Sequence, residues 1–232
     1  MFIKDLNINF KYSKNDIIRN WLKNYPRSKR LKIKNILSID NDSPELDIEI
    51  SKYFNNCDNY YIIQTNYDCY KNSIDKLFGS FNFKISYNDI LDYELDPYIS
   101  FDLIIFFTNF NFDKNITSFV KKTFELISND GIILIITCKN NKFVIETRNF
   151  FNLNLLSDSE FKENLKIDCK IFNTYIPIYL DICNLSKKEM LKLTNENIDN
   201  KKINEFKNFA LEKYGEYICV PISFLILSKI KI

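Results

Sequence analysis

Apolar runs of strand length alternate with amphipathic stretches through the middle of this chain. Strands are expected at Ile36 to Ile39, Tyr60 to Gln64, Phe83 to Tyr87, Leu103 to Thr108 and Ile132 to Thr137. The last two are almost uninterrupted apolar runs, the pattern of strands buried on both faces. Helical spacing occupies Glu45 to Phe54, Tyr67 to Phe78 and Lys114 to Ser128. This βαβα alternation predicts a parallel sheet with helices on both faces. Asn129-Asp130-Gly131 reads as a left-handed stop between the third of these helices and the strand that follows.

The flanks differ from the centre. Ile17, Ile18, Trp21 and Leu22 recur at helical spacing within Asn15 to Tyr25 before Pro26 stops the pattern, so residues 1–34 are expected to form an N-terminal helical lid. The basic run Arg27 to Lys34 reads as a solvated entry to the first strand. After the centre, Ser157 to Leu165 reads as a helix, Lys166 to Tyr175 as a strand, Ser186 to Ala210 as one or two polar helices, and Tyr217 to Ile226 as a closing strand. Residues 35–232 are then a single unit, and 232 residues at 46% hydrophobic content suffice for one continuous core.

Charge and cysteine usage narrow the partners. With 32 Lys+Arg against 30 Asp+Glu the net charge is +2, which offers no global field to attract nucleic acid or an anionic membrane. Six scattered cysteines form no CxxC pair and the chain has no histidine, so no metal site is expected and a Ser-His-Asp arrangement is excluded. Free thiols and the lack of a spanning apolar run point to a cytoplasmic setting.

In an open parallel sheet the ligand lies beyond the carboxyl ends of the strands. The residues there are Asp40 to Pro44, Gln64 to Asn66, Asn88 to Ile90, Thr108 to Phe112 and Cys138 to Phe143. The segments ISYNDIL (Ile85 to Leu91), FDLII (Phe101 to Ile105) and GIILII (Gly131 to Ile136) resemble, in order and separation, the second half of a class I S-adenosylmethionine-dependent methyltransferase. ILSI (Ile36 to Ile39), ELDIEI (Glu45 to Ile50), SDSEF (Ser157 to Phe161), YLDIC (Tyr179 to Cys183) and ISFLIL (Ile222 to Leu227) fall in the order seen in histamine N-methyltransferase and its relatives.

The resemblance implies an α/β, doubly wound, mostly parallel seven-stranded sheet, the Rossmann-like methyltransferase fold. It implies S-adenosylmethionine as cofactor, with contacts from Asp40, Asn41, Asp42, Gln64, Asp89, Ile90 and Thr108, and a small amine substrate near Asn111, Phe112 and Phe143. Relatives place glycines in the first loop, where the backbone must approach the cofactor. This chain has Asp40, Asn41, Asp42, Ser43 and Pro44, and Asn41 is the residue expected to supply a left-handed turn in their stead. Relatives also carry an acid that accepts from the ribose hydroxyls where this chain has Gln64. Two functions follow: N-methyl transfer to a small amine, or a domain that has lost catalysis and serves as a structural or binding subunit for a protein partner.

Overall fold

A computed structural model of the protein describes residues 19, 21–41, 43–77, 79, 83–87, 99–107, 114–138, 142–152, 163, 169–184 and 198–229. After a short helical turn α1 (Arg27–Arg30) come β1 (Asn35–Ile39), α2 (Pro44–Tyr53), β2 (Asn59–Gln64), α3 (Tyr67–Leu77) and β3 (Phe83–Tyr87). Then follow β4 (Phe101–Phe107), α4 (Lys114–Leu126), β5 (Ile127–Cys138), α5 (Lys142–Phe151), β6 (Cys169–Asp181), α6 (Asn200–Tyr214) and β7 (Tyr217–Lys229). The seven strands make one sheet in the order β3-β2-β1-β4-β5-β7-β6. Strands β1 to β5 pair in parallel, and β7 runs antiparallel between β5 and β6. This is the Rossmann-like methyltransferase sheet.

The central strands are apolar on both faces because both are covered. Ile36, Leu103, Ile105 and Leu134 share one core layer with Leu46 and Ile50 of α2, Phe143 and Phe151 of α5, and Ile203, Phe206 and Ala210 of α6. Leu37, Ile39, Ile104, Phe106, Ile133 and Ile135 face the other layer, closed by Val120 of α4. Phe206 is fully buried and its ring touches Phe143, Phe150 and Phe151. Each buried aromatic of this kind contributes about 1.5–3 kcal/mol relative to exposure.

Asp102 explains why FDLII begins with an acid after its phenylalanine. Its carboxylate accepts from the backbone N–H groups of Lys34 (2.8 Å) and Asn35 (3.1 Å) and from Ser128 Oγ (2.9 Å), fastening the start of β1 to β4 and β5. Opposite Asp102 the β4–β5 register shifts: Phe101 pairs with Ile127, but Leu103 pairs with Ile132. Here the expected helix stop at Asn129-Asp130-Gly131 is corrected. These residues lie inside β5, and the left-handed glycines are Gly79 and Gly215. Gly131 is required by close approach instead, since a Cβ there would sit 2.7 Å from the Phe101 carbonyl oxygen.

Two expectations shift at the flanks. Helix α5 occupies residues for which no element was expected, and the helix expected over Ser157 to Leu165 falls almost wholly outside the described residues. Of the N-terminal segment, residue 19 and residues 21–25 are described. Leu22 is buried, Tyr25 meets the ring of Phe54 at the far end of α2, and Arg19 forms a two-pronged ion pair with Glu49 (2.6 and 2.7 Å). Because α2 starts at the carboxyl end of β1, its far end lies toward the amino edge of the sheet. The described part of the expected lid therefore packs beside the sheet, and residues 1–18 lie outside the described residues.

Candidate functional site

The ends of β1 and β2 bring Asp40, Asn41 and Gln64 together. Ile39 pairs with Ile63, and just beyond this pair the Asp40 N–H donates to the Ile63 carbonyl at 2.9 Å. Asp40 then turns the chain with φ of 54°. It is therefore Asp40, at the first loop position, that adopts the left-handed conformation expected of Asn41. Aspartate tolerates this region better than most residues. Its carboxylate is held by Thr65, which donates its backbone N–H (2.8 Å) and its hydroxyl (2.7 Å) to Oδ1.

Asn41 is buried and closes the next turn on itself. Its Nδ2 donates to the Ser43 carbonyl (2.9 Å) while its Oδ1 accepts from the Ser43 N–H (3.1 Å). The Asn41 carbonyl accepts from Gln64 Nε2 at 2.6 Å, and the same nitrogen lies 3.3 Å from Ser73 Oγ of α3. Gln64 is fully buried, and its Oε1 has no hydrogen-bond partner among the described residues. The side chain at the ribose position thus points under the loop and pins it.

Beneath this loop lies a group of buried polar residues that the sequence reading did not single out. Asp47 of α2 is fully buried against Tyr60 of β2, whose hydroxyl donates to Asp47 Oδ1 at 2.8 Å. Neither Asp47 Oδ2 nor Ser38 Oγ of β1 has a partner among the described residues. Burial pushes the Asp47 carboxyl up to about 7, against the opposing pull of Ser38, Tyr60 and Asn41. Burial likewise pushes the Tyr60 phenol well above its ordinary value. The sequence signal for this group was the lone serine in the apolar run Ile36-Leu37-Ser38-Ile39.

The fit of S-adenosylmethionine can be judged from the donors at the start of α2. A helix N-terminus holds an anion through free backbone N–H groups. Here the Ser43 N–H goes to Asn41 Oδ1, Pro44 has none, and the Leu46 N–H goes to the Ser43 carbonyl at 2.9 Å. Glu45 pairs with Lys76 of α3, which holds its carboxyl below the usual range. At the start of α2 the described Ser43 and Leu46 N–H groups are engaged within the loop, and Gln64 Nε2 is engaged by the Asn41 carbonyl.

Of the remaining expected site residues, Phe143 lies in the core, 2% exposed, against Phe206 and Tyr214. Its ring packs α5 on α6. Asp42, Asp89, Ile90, Thr108, Asn111 and Phe112 lie outside the described residues. Among the described residues no helix is long and apolar enough to cross a membrane, and no group of three or more acidic or cysteine side chains could hold a metal ion.

Known proteins resemble this chain in fold and not in sequence. No family model matches it, and no curated protein matches it by sequence. The YcgJ protein of Bacillus subtilis superposes with a TM-score of 0.68 at 10% identity, over 92% of this chain and 98% of that one. Coclaurine N-methyltransferase bound to N-methylheliamine and SAH gives 0.55 at 16% identity, over 90% of this chain and 71% of that one. The N-methyltransferase NodS of Bradyrhizobium japonicum gives 0.52 at 10% identity, over 92% and 97%. At such identities the likeness is one of fold.

Proposed function

We propose that this methyltransferase-like chain has lost methyl transfer and works as a binding or structural subunit for a protein partner. The observation that carries this reading is the loop after β1. Its described donors are used internally, Pro44 removes another, and Gln64 is drawn inward to hold the loop closed. Each of these would have to be undone before a cofactor carboxylate found partners there, and buried groups left without partners cost about 1–3 kcal/mol apiece. Asp40 adds negative charge at the start of this loop. The near-neutral net charge weighs against nucleic acid as the partner.

The test is calorimetric titration of the purified chain with S-adenosylmethionine and S-adenosylhomocysteine. Silence at millimolar concentration is expected. Micromolar binding of either would overturn the reading and restore the second one, N-methyl transfer to a small-molecule amine. That alternative is supported by two structural neighbours named as N-methyltransferases. Under it, Asp89, Ile90 and Thr108 would hold the cofactor and Asn111 and Phe112 the amine, so Asp89→Ala would weaken the binding observed.

A further inference from the structure

We propose that the segment leading into β1 is a docking surface for an acidic segment of a protein partner, one that sets carboxylates on Lys23, Lys29 and Lys32 and an apolar side chain on Leu31. This rests on the reading of the chain as a subunit for a protein partner. The charge of the chain is near zero only on average. Residues 17–39 hold seven Lys or Arg and no Asp or Glu, so the rest of a chain of net charge +2 carries five more acids than bases. The basic stretch is fastened from within. Leu22 and Ile33 are buried in the core layer that includes Leu46 and Phe54. Its turns close as Tyr25 N–H donates to the Leu22 carbonyl (3.1 Å), Lys29 N–H to that of Pro26 (3.0 Å) and Lys32 N–H to that of Lys29 (3.1 Å). Two of the cations are answered locally, Arg19 by Glu49 and Lys34 by Asp58 at 3.6 Å. Lys23, Lys29 and Lys32 are exposed and have no acidic partner among the described residues. Leu31, next to Lys32 in the turn that follows α1, is 50% exposed.

Charge complementarity sets the sign of the occupant, and the leucine sets its kind. Ammonium groups held on a fixed backbone attract carboxylates and steer their approach. A phosphodiester chain would leave Leu31 without a counterpart, and a long polyanion would run onto the acidic remainder of the molecule. Stacking on bases needs open aromatic faces. In this segment the rings of Trp21 and Tyr25 meet each other at 4.9 Å, and Tyr25 also meets Phe54. A lipid surface calls for a broader apolar face than one leucine supplies. Carboxylates flanking an apolar residue match both features, since a central apolar anchor with a charged rim is how protein segments are commonly held. The surface lies at the amino end of β1, and Asp40 and Asn41 lie at its other end, so a partner seated there leaves the loop after β1 uncovered.

Fluorescence anisotropy of the full chain tests this with a labelled peptide of about twelve residues that interleaves Glu with Leu. Micromolar binding is expected in low salt, weakening about tenfold between roughly 50 and 200 mM. Lys29→Glu combined with Lys32→Glu should weaken it by about tenfold or more. Leu31→Ala should weaken the Glu-Leu peptide and leave an all-Glu peptide unchanged. The same charge reversal at Lys71 and Lys201, which are exposed elsewhere on the chain, should alter binding by less than about twofold. No binding of the Glu-Leu peptide, equal loss from both pairs of reversals, or no effect of Leu31→Ala on that peptide would overturn the docking surface. Tighter binding of poly-uridylate or of phosphatidylserine vesicles would overturn it too, assigning the patch to nucleic acid or to lipid. Should the reversed pair fail to fold by circular dichroism, Lys29→Gln with Lys32→Gln removes the charge alone and should still weaken binding about threefold. Peptide and cofactor binding separate the two proposals. Micromolar binding of S-adenosylhomocysteine with peptide binding intact would remove the non-catalytic reading and keep the surface.

Discussion

Replacing Gln64 by glutamate separates two views of the site. On the resemblance alone, Gln64→Glu restores the acid that relatives use to accept from ribose, and cofactor binding should improve. The structure predicts the reverse. Gln64 Nε2 donates to the Asn41 carbonyl at 2.6 Å inside a fully buried site, so the substitution sets an oxygen against an oxygen. The lost hydrogen bond and the stranded Asn41 carbonyl together cost about 2–4 kcal/mol. Burial raises the pKa of the introduced carboxyl above the unfolded value of about 4.3. A raised folded-state value means that the stability it contributes is present below about pH 4 and is lost as pH rises through the folded value. Below that value the protonated acid can still donate to the Asn41 carbonyl. Urea unfolding of the parent and Gln64→Glu at pH 4.5 and pH 8, roughly the ends of that window, should therefore show a deficit that widens with pH. Equal stability at pH 8, together with a gain in S-adenosylhomocysteine binding, would show that the side chain faces the cleft and would refute the argument.

Other perturbations probe the frame around the site. Gly131→Ala forces a methyl to within 2.7 Å of the Phe101 carbonyl oxygen, so the urea midpoint should fall by an amount equal to about 1–3 kcal/mol. In Asp47→Asn the decline of stability between about pH 4 and pH 7, on the order of 4 kcal/mol for one fully shifted group, should flatten, as read by unfolding at several pH values. Cys57 is buried and its thiol is pushed up to about 11, chiefly by burial, whereas Cys183 is exposed. Iodoacetamide at neutral pH should therefore label the Cys183 peptide and leave the Cys57 peptide unmodified until denaturant is added, as mass spectrometry would show.

The central strands β1 and β2 were legible because they are buried on both faces, and the edge strand β3 because it is bounded by polar turns. Phe83–Tyr87 came out with its expected limits, and β1, β2 and β4 shifted by a residue or two at their ends. Helix α5 was missed because a polar residue sits on its inner face. Phe143, Thr147 and Phe151 are all buried at four-residue spacing, and Thr147 satisfies its hydroxyl on the Phe143 carbonyl at 2.8 Å. A hydrophobicity pattern does not register a threonine in that role. The same blindness hid Asp47, which stands in the alternating run ELDIEI where a charged residue reads as outward. Asp40, Asn41 and Gln64 were found by position at the strand ends, yet their directions were not in the sequence. Those directions depend on the donors that Thr65 and Ser43 offer and on the Ser73 hydroxyl as an acceptor for Gln64 once the loop has closed.

The place of β7 in the sheet has a further consequence for how the chain comes together. Strand β5 must leave one flank open until Tyr217–Lys229 arrives to lie between it and β6. During that interval the run from Ile132 to Ile135 offers unpaired backbone groups and aliphatic side chains to any neighbour, the conditions under which edges join between molecules. Pairings so distant in sequence are also slow to find. Chains cut before β7 should therefore accumulate as aggregates, and the yield of native protein should be set by crowding and temperature during this late closure rather than by the strength of the finished core.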